Sequence, residues 1–331
     1  MKLRRRATLR WEKPPKKVLF VKKTRDRDVA AKSNEMIEWL MSKGLEVYVE
    51  TDAAASAPAN CKLWQPKDSD VDFGIVVGGD GTLLHFANLL GEAEYYRRNS
   101  ESEHHHHGRP LPPCISFGMG SLGFMSNFQV EDYRSILTSL VAASEDDKEV
   151  FVTLRTRLEC VVKRKSGSIE PLFSCLNECV IDKGQHPGLG KMGLLVDGNP
   201  VTTVQGDGLI ISTPSGSTGY NLAVGGAMVA PSVPCMLMTP IAPSTLSFRP
   251  VIIPESSTIE VSIPSTARTE GRVIFDGHKS RVLKHGDSVI VETSSFPIPV
   301  INSKPFDQDW YKSIREKLHW NVRVEQKPYP M

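Results

Sequence analysis

Val76-Val77-Gly78-Gly79-Asp80-Gly81-Thr82-Leu83-Leu84 decides the fold. An apolar run suited to a buried parallel strand enters three glycines around one acid and leaves on a helical stretch, Thr82 to Leu90. Ligands in α/β sheets bind at such carboxyl ends of strands. Glycine lets backbone N–H groups approach phosphate closely, and a helix N-terminus favours anions. The loop is neither a Walker loop, since no Gly-Lys-Ser/Thr follows, nor Gly-x-Gly-x-x-Gly. Asp80 is the discriminating residue, because a carboxylate beside phosphates is repulsive unless it holds a metal or accepts a proton. As a plain turn the same residues would put Thr82 at an N-cap.

Working outward, Val18 to Val21, Leu45 to Val49, Phe73 to Val77 and Cys114 to Phe117 read as strands. Val29, Ser33, Met36, Ile37 and Leu40 recur at helical spacing before Gly44, which is placed as a C′ cap. Alternating strands and helices predict a doubly wound, Rossmann-like α/β domain over residues 17–145. A second glycine-rich strand exit, Phe117-Gly118-Met119-Gly120-Ser121-Leu122-Gly123-Phe124, predicts a nucleotide crevice shared with the first. Residues 92–109, hydrophilic and containing His104 to His107, read as a flexible insertion rather than a metal site. Their excision is then expected to leave activity intact.

From 146 to 304 short β-rich runs are punctuated by turns such as 165–168 and 197–200, which predicts an all-β domain, a layered sheet or sandwich. Residues 305–331 form a tail whose helix, Asp307 to Leu318, is expected to return to the first domain. Two clusters here suit ligand chemistry. Asn177-Glu178 sets an amide and a carboxylate inside an apolar strand, as a satisfied internal pair or as acceptors for sugar hydroxyls and base edges. The second runs from Gln205 through Asp207 to Ser215, Ser217, Thr218, Gly219, Tyr220 and Asn221, and leads into an apolar helix-like run, Leu222 to Met228. Its hydroxyls suit phosphate or base contacts, Tyr220 offers a stacking surface and Asn221 a polar tip.

Composition narrows the class. The chain has 331 residues, 40% hydrophobic and 24% charged, the balance of a soluble globular protein. A net charge of +2 gives no ground for a nucleic-acid partner, and no apolar run approaches a membrane span. Residues 1–16 carry Arg4, Arg5, Arg6, Arg10, Lys13 and Lys16, and read as a solvated arm rather than a targeting remnant. The expected compartment is therefore the cytoplasm, with the mitochondrion as alternative. The six cysteines lack Cys-x-x-Cys spacing and read as reduced core residues, with neither zinc nor disulfides.

Taken together, Gly-Gly-Asp-Gly-Thr (78–82), Gly-Ser-Leu-Gly-Phe (120–124), Asn-Glu (177–178), Gly-Asp-Gly (206–208) and Ser-Thr-Pro-Ser-Gly-Ser-Thr-Gly-Tyr (212–220) resemble the NAD kinase family, in its eukaryotic branch. Further similarity covers Val233 to Pro254, Phe275-Asp276-Gly277 and Leu318 to Arg323, almost everything after Pro14. The first motif alone is shared with diacylglycerol and sphingosine kinases; the combination is specific. The resemblance implies an NAD kinase/diacylglycerol kinase-like architecture and transfer of the γ-phosphate of ATP to the 2′-hydroxyl of the adenosine ribose of NAD. It implies Asp80 as proton acceptor, and Gly79, Gly81 and Thr82 at the ATP phosphates. A divalent cation, usually Mg²⁺, would lie between the phosphates, with no protein side chain assigned to it. It implies Asn177 and Glu178 at the adenosine half of NAD, Ser215, Thr218 and Tyr220 around the adenine, and Asp207 toward the nicotinamide, from a neighbouring subunit of a dimer or tetramer. Phe117, Gly118, Gln205, Gly219, Asn221 and Asp276 complete the implied substrate-binding set. Gly219 departs from the alanine usual in the family. Alternatives are an NADH-preferring kinase of the same family or a lipid kinase of the diacylglycerol kinase type.

Overall fold

A computed structural model describes residues 6–66, 70–99, 110–120, 122–142, 149–305 and 307–322. The chain opens with β1 (Arg6–Leu9), β2 (Lys17–Lys22), α1 (Arg27–Ser42), β3 (Glu46–Val49), the single turn α2 (Thr51–Ala54) and β4 (Lys62–Leu63). It continues through β5 (Phe73–Val77), α3 (Asp80–Asn99), β6 (Cys114–Gly118), β7 (Phe128–Gln129), α4 (Tyr133–Ala142) and β8 (Val150–Arg155). The next stretch builds β9 (Leu158–Lys163), β10 (Phe173–Cys175), β11 (Glu178–Asp182), β12 (Gly190–Val196), β13 (Asn199–Gly206), β14 (Gly208–Ser212) and the short helix α5 (Tyr220–Ala223). Then come β15 (Cys235–Ile241), β16 (Val251–Pro254), β17 (Ile259–Ser262), β18 (Gly271–Phe275), β19 (Lys279–Leu283), β20 (Ser288–Thr293), β21 (Ile298–Ile301) and α6 (Gln308–Lys317).

The first sheet has the order β1-β8-β21-β6-β5-β2-β3-β4, with β7 beside β6. Its centre, from β4 to β21, is parallel. Such strands must be covered on both faces. Val29, Met36, Ile37 and Leu40 of α1 and Tyr133, Leu137 and Leu140 of α4 cover one face. Leu83, Phe86, Leu90 and Ala93 of α3 cover the other, so the sheet is doubly wound. The Asp26 side chain caps α1 by accepting from Val29 N at 3.2 Å, and Gly44, at φ +82°, ends it as the spacing predicts.

The second unit is two six-stranded antiparallel sheets, β10-β9-β20-β17-β12-β13 and β16-β15-β14-β11-β18-β19. Alternate residues of both inner faces, among them Cys160, Ile181, Leu209 and Val261, form one core between them. Asp197 and Gly198 both take positive φ (52° and 74°), the twist a two-residue hairpin between β12 and β13 requires. All six cysteines are free thiols, five of them buried. Among the described residues no helix is long and apolar enough to cross a membrane.

The structure redraws several boundaries. Within the expected basic arm, Arg6–Leu9 pairs antiparallel with Val150 to Thr153 of β8 and joins the first sheet. Strands β8 and β21, expected in the all-β unit, extend that same sheet. Of the expected helix-like run from Leu222 to Met228, only Leu222 and Ala223 are helical, as the end of α5. Helix α3 does not stop at Leu90 but runs through Asn99, so the first part of the expected insertion is helix. His104 to His107 lie outside the described residues.

The helix continues because a partner from the second unit completes it. Arg157, 1% exposed, donates to Glu94 Oε2 of α3 at 2.5 Å, to Ser174 Oγ at 2.8 Å and to the Phe296 carbonyl at 2.8 Å. Removing one member of a buried pair strands the other charge, which typically costs about 3–5 kcal/mol. Glu94→Ala is therefore expected to lower unfolding stability by that order in chemical denaturation. A joint Glu94→Met, Arg157→Met replacement should lose less. Excising 92–109 removes Glu94 as well, so it is expected to destabilise the protein rather than be silent.

Candidate active site

At the end of β5 the chain turns at Gly78, whose φ is +152° and whose N–H donates to the Phe117 carbonyl at 2.9 Å. A Cβ there would lie 2.3 Å from Thr82 Oγ1, so only glycine fits the turn. Helix α3 starts at Asp80, and an added Cβ on Gly79 or Gly81 would meet nothing within 4 Å. That open space lies at a helix N-terminus, the setting sequence reading gave for phosphates. Asp80 itself turns toward the second glycine loop. Its Oδ2 accepts from Phe124 N at 2.8 Å and its Oδ1 from Met125 N at 3.0 Å. A Cβ on Gly123 would stand 1.7 Å from Asp80 Oδ1, so this glycine makes room for the carboxylate. The second loop thus orients the acid. Phe117 is fully buried against Phe128, and its side chain is core rather than ligand-facing. Gly118 is also buried, with the Leu122 side chain where a Cβ would go.

Arg155, on the last position of β8, is a site residue that sequence reading missed. It is 3% exposed, donating to Ser215 Oγ at 2.9 Å and to the Phe124 carbonyl at 3.4 Å. Its Nε meets no acceptor among the described residues. Burial lowers its pKa, and the nearby Asp80 carboxylate opposes that shift. It ties the loop behind Asp80 to the hydroxyl-rich loop of the other unit. The only local signal was a charge on an otherwise apolar strand.

The Asn177-Glu178 cluster is built by Asp276, which sits at φ +45° in the turn after β18. The Asp276 carboxylate accepts from Leu176 N (2.7 Å), Asn177 N (2.8 Å) and Glu178 N (3.0 Å). Asp276 was expected to bind substrate; at 4% exposure, both of its oxygens are engaged by the backbone of residues 176–178. The hydroxyl loop is stapled to the same segment. Thr213 Oγ1 donates to the Leu176 carbonyl at 2.6 Å, and Ser212 Oγ to the Asn177 carbonyl at 3.2 Å. Asn177 Oδ1 and Glu178 Oε2 are buried with no hydrogen-bond partner among the described residues. A methyl on Gly219 would stand 3.5 Å from that Glu178 oxygen, so the departure from alanine opens space beside the acid. Burial pushes the Glu178 carboxyl up to about 8, with the Asp276 charge adding to it. Burial likewise raises Asp276 to about 6 against the three N–H groups that favour its charge.

The remaining expected residues divide. Ser215 and Thr218 stand in the loop facing this cluster, Thr218 Oγ1 donating to the Ser215 carbonyl at 3.3 Å, and Tyr220 is exposed beside them. Asn221 is no polar tip. Fully buried, its amide donates to the carbonyls of Ser217 (3.1 Å) and Ala227 (3.0 Å) and accepts from Thr239 Oγ1 (2.6 Å), locking the loop from within. Gln205 and Asp207 lie at the opposite end of β14, where Gly208 pairs with Asp182 while Ser212 pairs with Glu178. Four residue steps along the strand separate those ends, about 13 Å, so one chain does not gather them. Asp207 Oδ1 instead meets Lys183 Nζ at 2.7 Å. Helix α6 packs by Trp310 and Ile314, and its Ser313 Oγ donates to the Gly123 carbonyl of the second glycine loop at 3.4 Å. Among the described residues no three or more His, Cys, Asp or Glu side chains gather as a metal cluster.

The family described as the ATP-NAD kinase C-terminal domain matches residues 176–303. A chloroplastic protein named NAD kinase 2 from Arabidopsis thaliana is 38% identical over 331 residues, covering 96% of this chain and 32% of that protein. This chain thus spans about a third of that relative's length. An uncharacterized kinase of Schizosaccharomyces pombe is 32% identical, covering 92% of this chain and 79% of its own length. Among solved structures, yeast NADH kinase complexed with NADH superposes with a TM-score of 0.83 at 27% identity, covering 98% of this chain and 94% of that one.

Glu178 generates a prediction with a defined sign. Its folded pKa lies above the ordinary carboxyl value, so its contribution to stability is full below that ordinary value and is lost as pH rises through about 8. Thermal melts of the unliganded protein from about pH 5 to about pH 9 should show wild type losing more stability than Glu178→Gln. Parallel curves would remove the buried acid from this account.

Proposed function

This chain belongs to the NAD kinase family, and from that membership we propose that it transfers the γ-phosphate of ATP to the ribose 2′-hydroxyl of NAD, giving NADP. The observation that carries the proposal is Asp80, a carboxylate at the mouth of a glycine turn and a helix N-terminus, held in one orientation by two backbone N–H groups. Phosphoryl transfer asks for in-line placement and charge neutralisation more than for a strong base. Asp80 orients the hydroxyl and takes its proton as the new P–O bond forms, while Gly79, Gly81 and Thr82 receive the phosphates. Asn177 and Glu178 hold the adenosine half, with Ser215, Thr218 and Tyr220 around the adenine.

The donor set suits a Mg²⁺ carried by the nucleotide, because among the described residues each Asp80 oxygen accepts one N–H and Mg²⁺ commonly takes one carboxylate together with phosphates. When bound, the ion supplies neutralisation of charge on the transferred group. Asp207, remote from Asn177 and Glu178 within one chain, suits the reading that it serves a neighbouring protomer's site in a dimer or tetramer. The cytoplasm remains the proposed compartment. NADH as acceptor is the second reading, favoured by the likeness to a yeast NADH kinase bound to NADH. The two dinucleotides share the adenosine half that this crevice addresses. A lipid kinase would need an apolar groove for acyl chains, and this crevice is lined by amide, carboxylate and hydroxyl groups.

An assay of NADP and NADPH formation with NAD or NADH, ATP or polyphosphate, and diacylglycerol as rival acceptor tests the reading. Phosphate transfer to diacylglycerol but to neither dinucleotide would overturn it. Asp80→Asn should retain the fold, with about 1 kcal/mol lost where an amide group replaces one hydrogen-bonded oxygen. Its turnover is expected to fall by about two to four orders of magnitude. Unchanged turnover in the folded variant would remove Asp80 from the mechanism.

A further inference from the structure

Two buried hydroxyls beneath the glycine turn take no part in the chemistry assigned above. On β6, Ile115 and Phe117 join the core covered by α1 and α4, so Ser116 shares the α3 side with Cys114. Ser126 follows the second glycine loop. The two serines are 1% and 0% exposed, and their Oγ atoms lie 3.0 Å apart. Ser126 Oγ also donates to the Gly78 carbonyl at 3.3 Å. A hydroxyl has one proton and two lone pairs. With the Ser126 proton committed to Gly78, Ser116 supplies the proton between the pair. The chain of donation therefore runs from Ser116 through Ser126 to the Gly78 carbonyl.

What that carbonyl controls is the next N–H. A trans peptide is planar, with its C=O and N–H on opposite sides, and the Gly78–Gly79 bond is trans. Gly78 is buried and Gly79 exposed, so a carbonyl aimed inward at Ser126 turns the Gly79 N–H away from the core. Among the described residues no acceptor meets that N–H. Glycine on both sides gives this peptide little torsional preference of its own, because glycine takes positive and negative φ about equally. The Ser126 hydrogen bond selects one orientation. Three successive residues of one loop thus hold the turn: Phe124 and Met125 by N–H groups on Asp80, Ser126 by its hydroxyl on Gly78.

We propose that Ser126 is a positioning residue of the phosphate turn: its hydroxyl, backed by Ser116, holds the Gly78–Gly79 peptide with the Gly79 N–H presented to a nucleotide phosphate. The proposal rests on the reading of that turn as the phosphate site. Ser126 is fully buried and acts through the backbone of Gly78 and Gly79. Ser116 acts in turn through Ser126.

The test is titration calorimetry of ATP with Mg²⁺, and of NAD, on wild type, Ser126→Ala, Ser126→Thr, Ser116→Ala and the double alanine variant, with turnover measured at varied ATP. Ser126→Ala should weaken ATP, and raise its Michaelis constant, about five- to tenfold, the size of one lost hydrogen bond. NAD affinity should stay at wild type. Ser126→Thr, which keeps the hydroxyl, should restore ATP binding. Ser116→Ala should show a smaller loss of the same kind and carries the comparison if the threonine variant does not fold. The double variant should bind ATP no more weakly than Ser126→Ala alone, because the two hydroxyls form one chain. Unchanged ATP affinity in folded Ser126→Ala overturns the proposal, and so does an equal loss of ATP and NAD affinity in both single alanine variants, the mark of packing alone. An additive double variant overturns the role of Ser116. A wild type that phosphorylates neither NAD nor NADH, yet loses ATP affinity on Ser126→Ala, sinks the proposed function and leaves the positioning role standing.

Discussion

Two backbone N–H groups, of Phe124 and Met125, hold the Asp80 carboxylate, and the arrangement of the site follows from that contact. An acid at a helix N-terminus is favoured by the helix dipole, yet by itself it could point in several directions. Fixing both oxygens removes that freedom before any ligand arrives, so its ordering is not charged against binding. The contact also requires Gly123, since any side chain there would collide with the acid. Two glycine loops from adjacent strands are thereby locked into one unit, and α6 closes over the second through Ser313.

The junction between the two units is built from buried cations. Arg155 and Arg157 lie on either side of the crossing from β8 to β9, one toward Asp80 and Ser215, the other toward Glu94, Ser174 and the Phe296 carbonyl. Buried guanidinium groups are weak contributors to net stability, because desolvation offsets most of the attraction. Their effect is geometric: a planar fork with several donors permits few arrangements. The hydroxyl loop of the β unit therefore meets the glycine loops of the α/β unit in a defined place.

Across the crevice the electrostatics are uneven by construction. Asp276 gives the N–H groups of Leu176, Asn177 and Glu178 a common acceptor and so fixes the backbone at the start of β11. Its charge, with burial, then keeps Glu178 protonated to higher pH than an ordinary carboxyl. A neutral acid can donate as well as accept, which suits a sugar hydroxyl in either role. Lys22, Lys23, Arg25 and Arg27 gather elsewhere, on the β2–α1 connection, together with Asp26 and Asp52.

The periodicities and turn residues were enough to recognise the α/β unit, the layered β unit, α1 with its buried stripe, and the Asp197-Gly198 hairpin, because those signals are local. The motifs were likewise legible as motifs, since glycine, acid and hydroxyl spacing is written along the chain. What each motif residue does was not. Asn221 reads as a polar tip and proves to be an internal brace; Asp276 reads as a ligand and proves to be a backbone clamp. Arg155, the extension of α3 past Leu90 and the return of β1, β8 and β21 to the first sheet depend on partners far away in sequence. Sequence alone determined which elements form and which chemical groups are available. Only the tertiary structure decided which of those groups spend their hydrogen bonds inside the protein and which remain for a ligand, because burial and pairing are properties of the assembled chain.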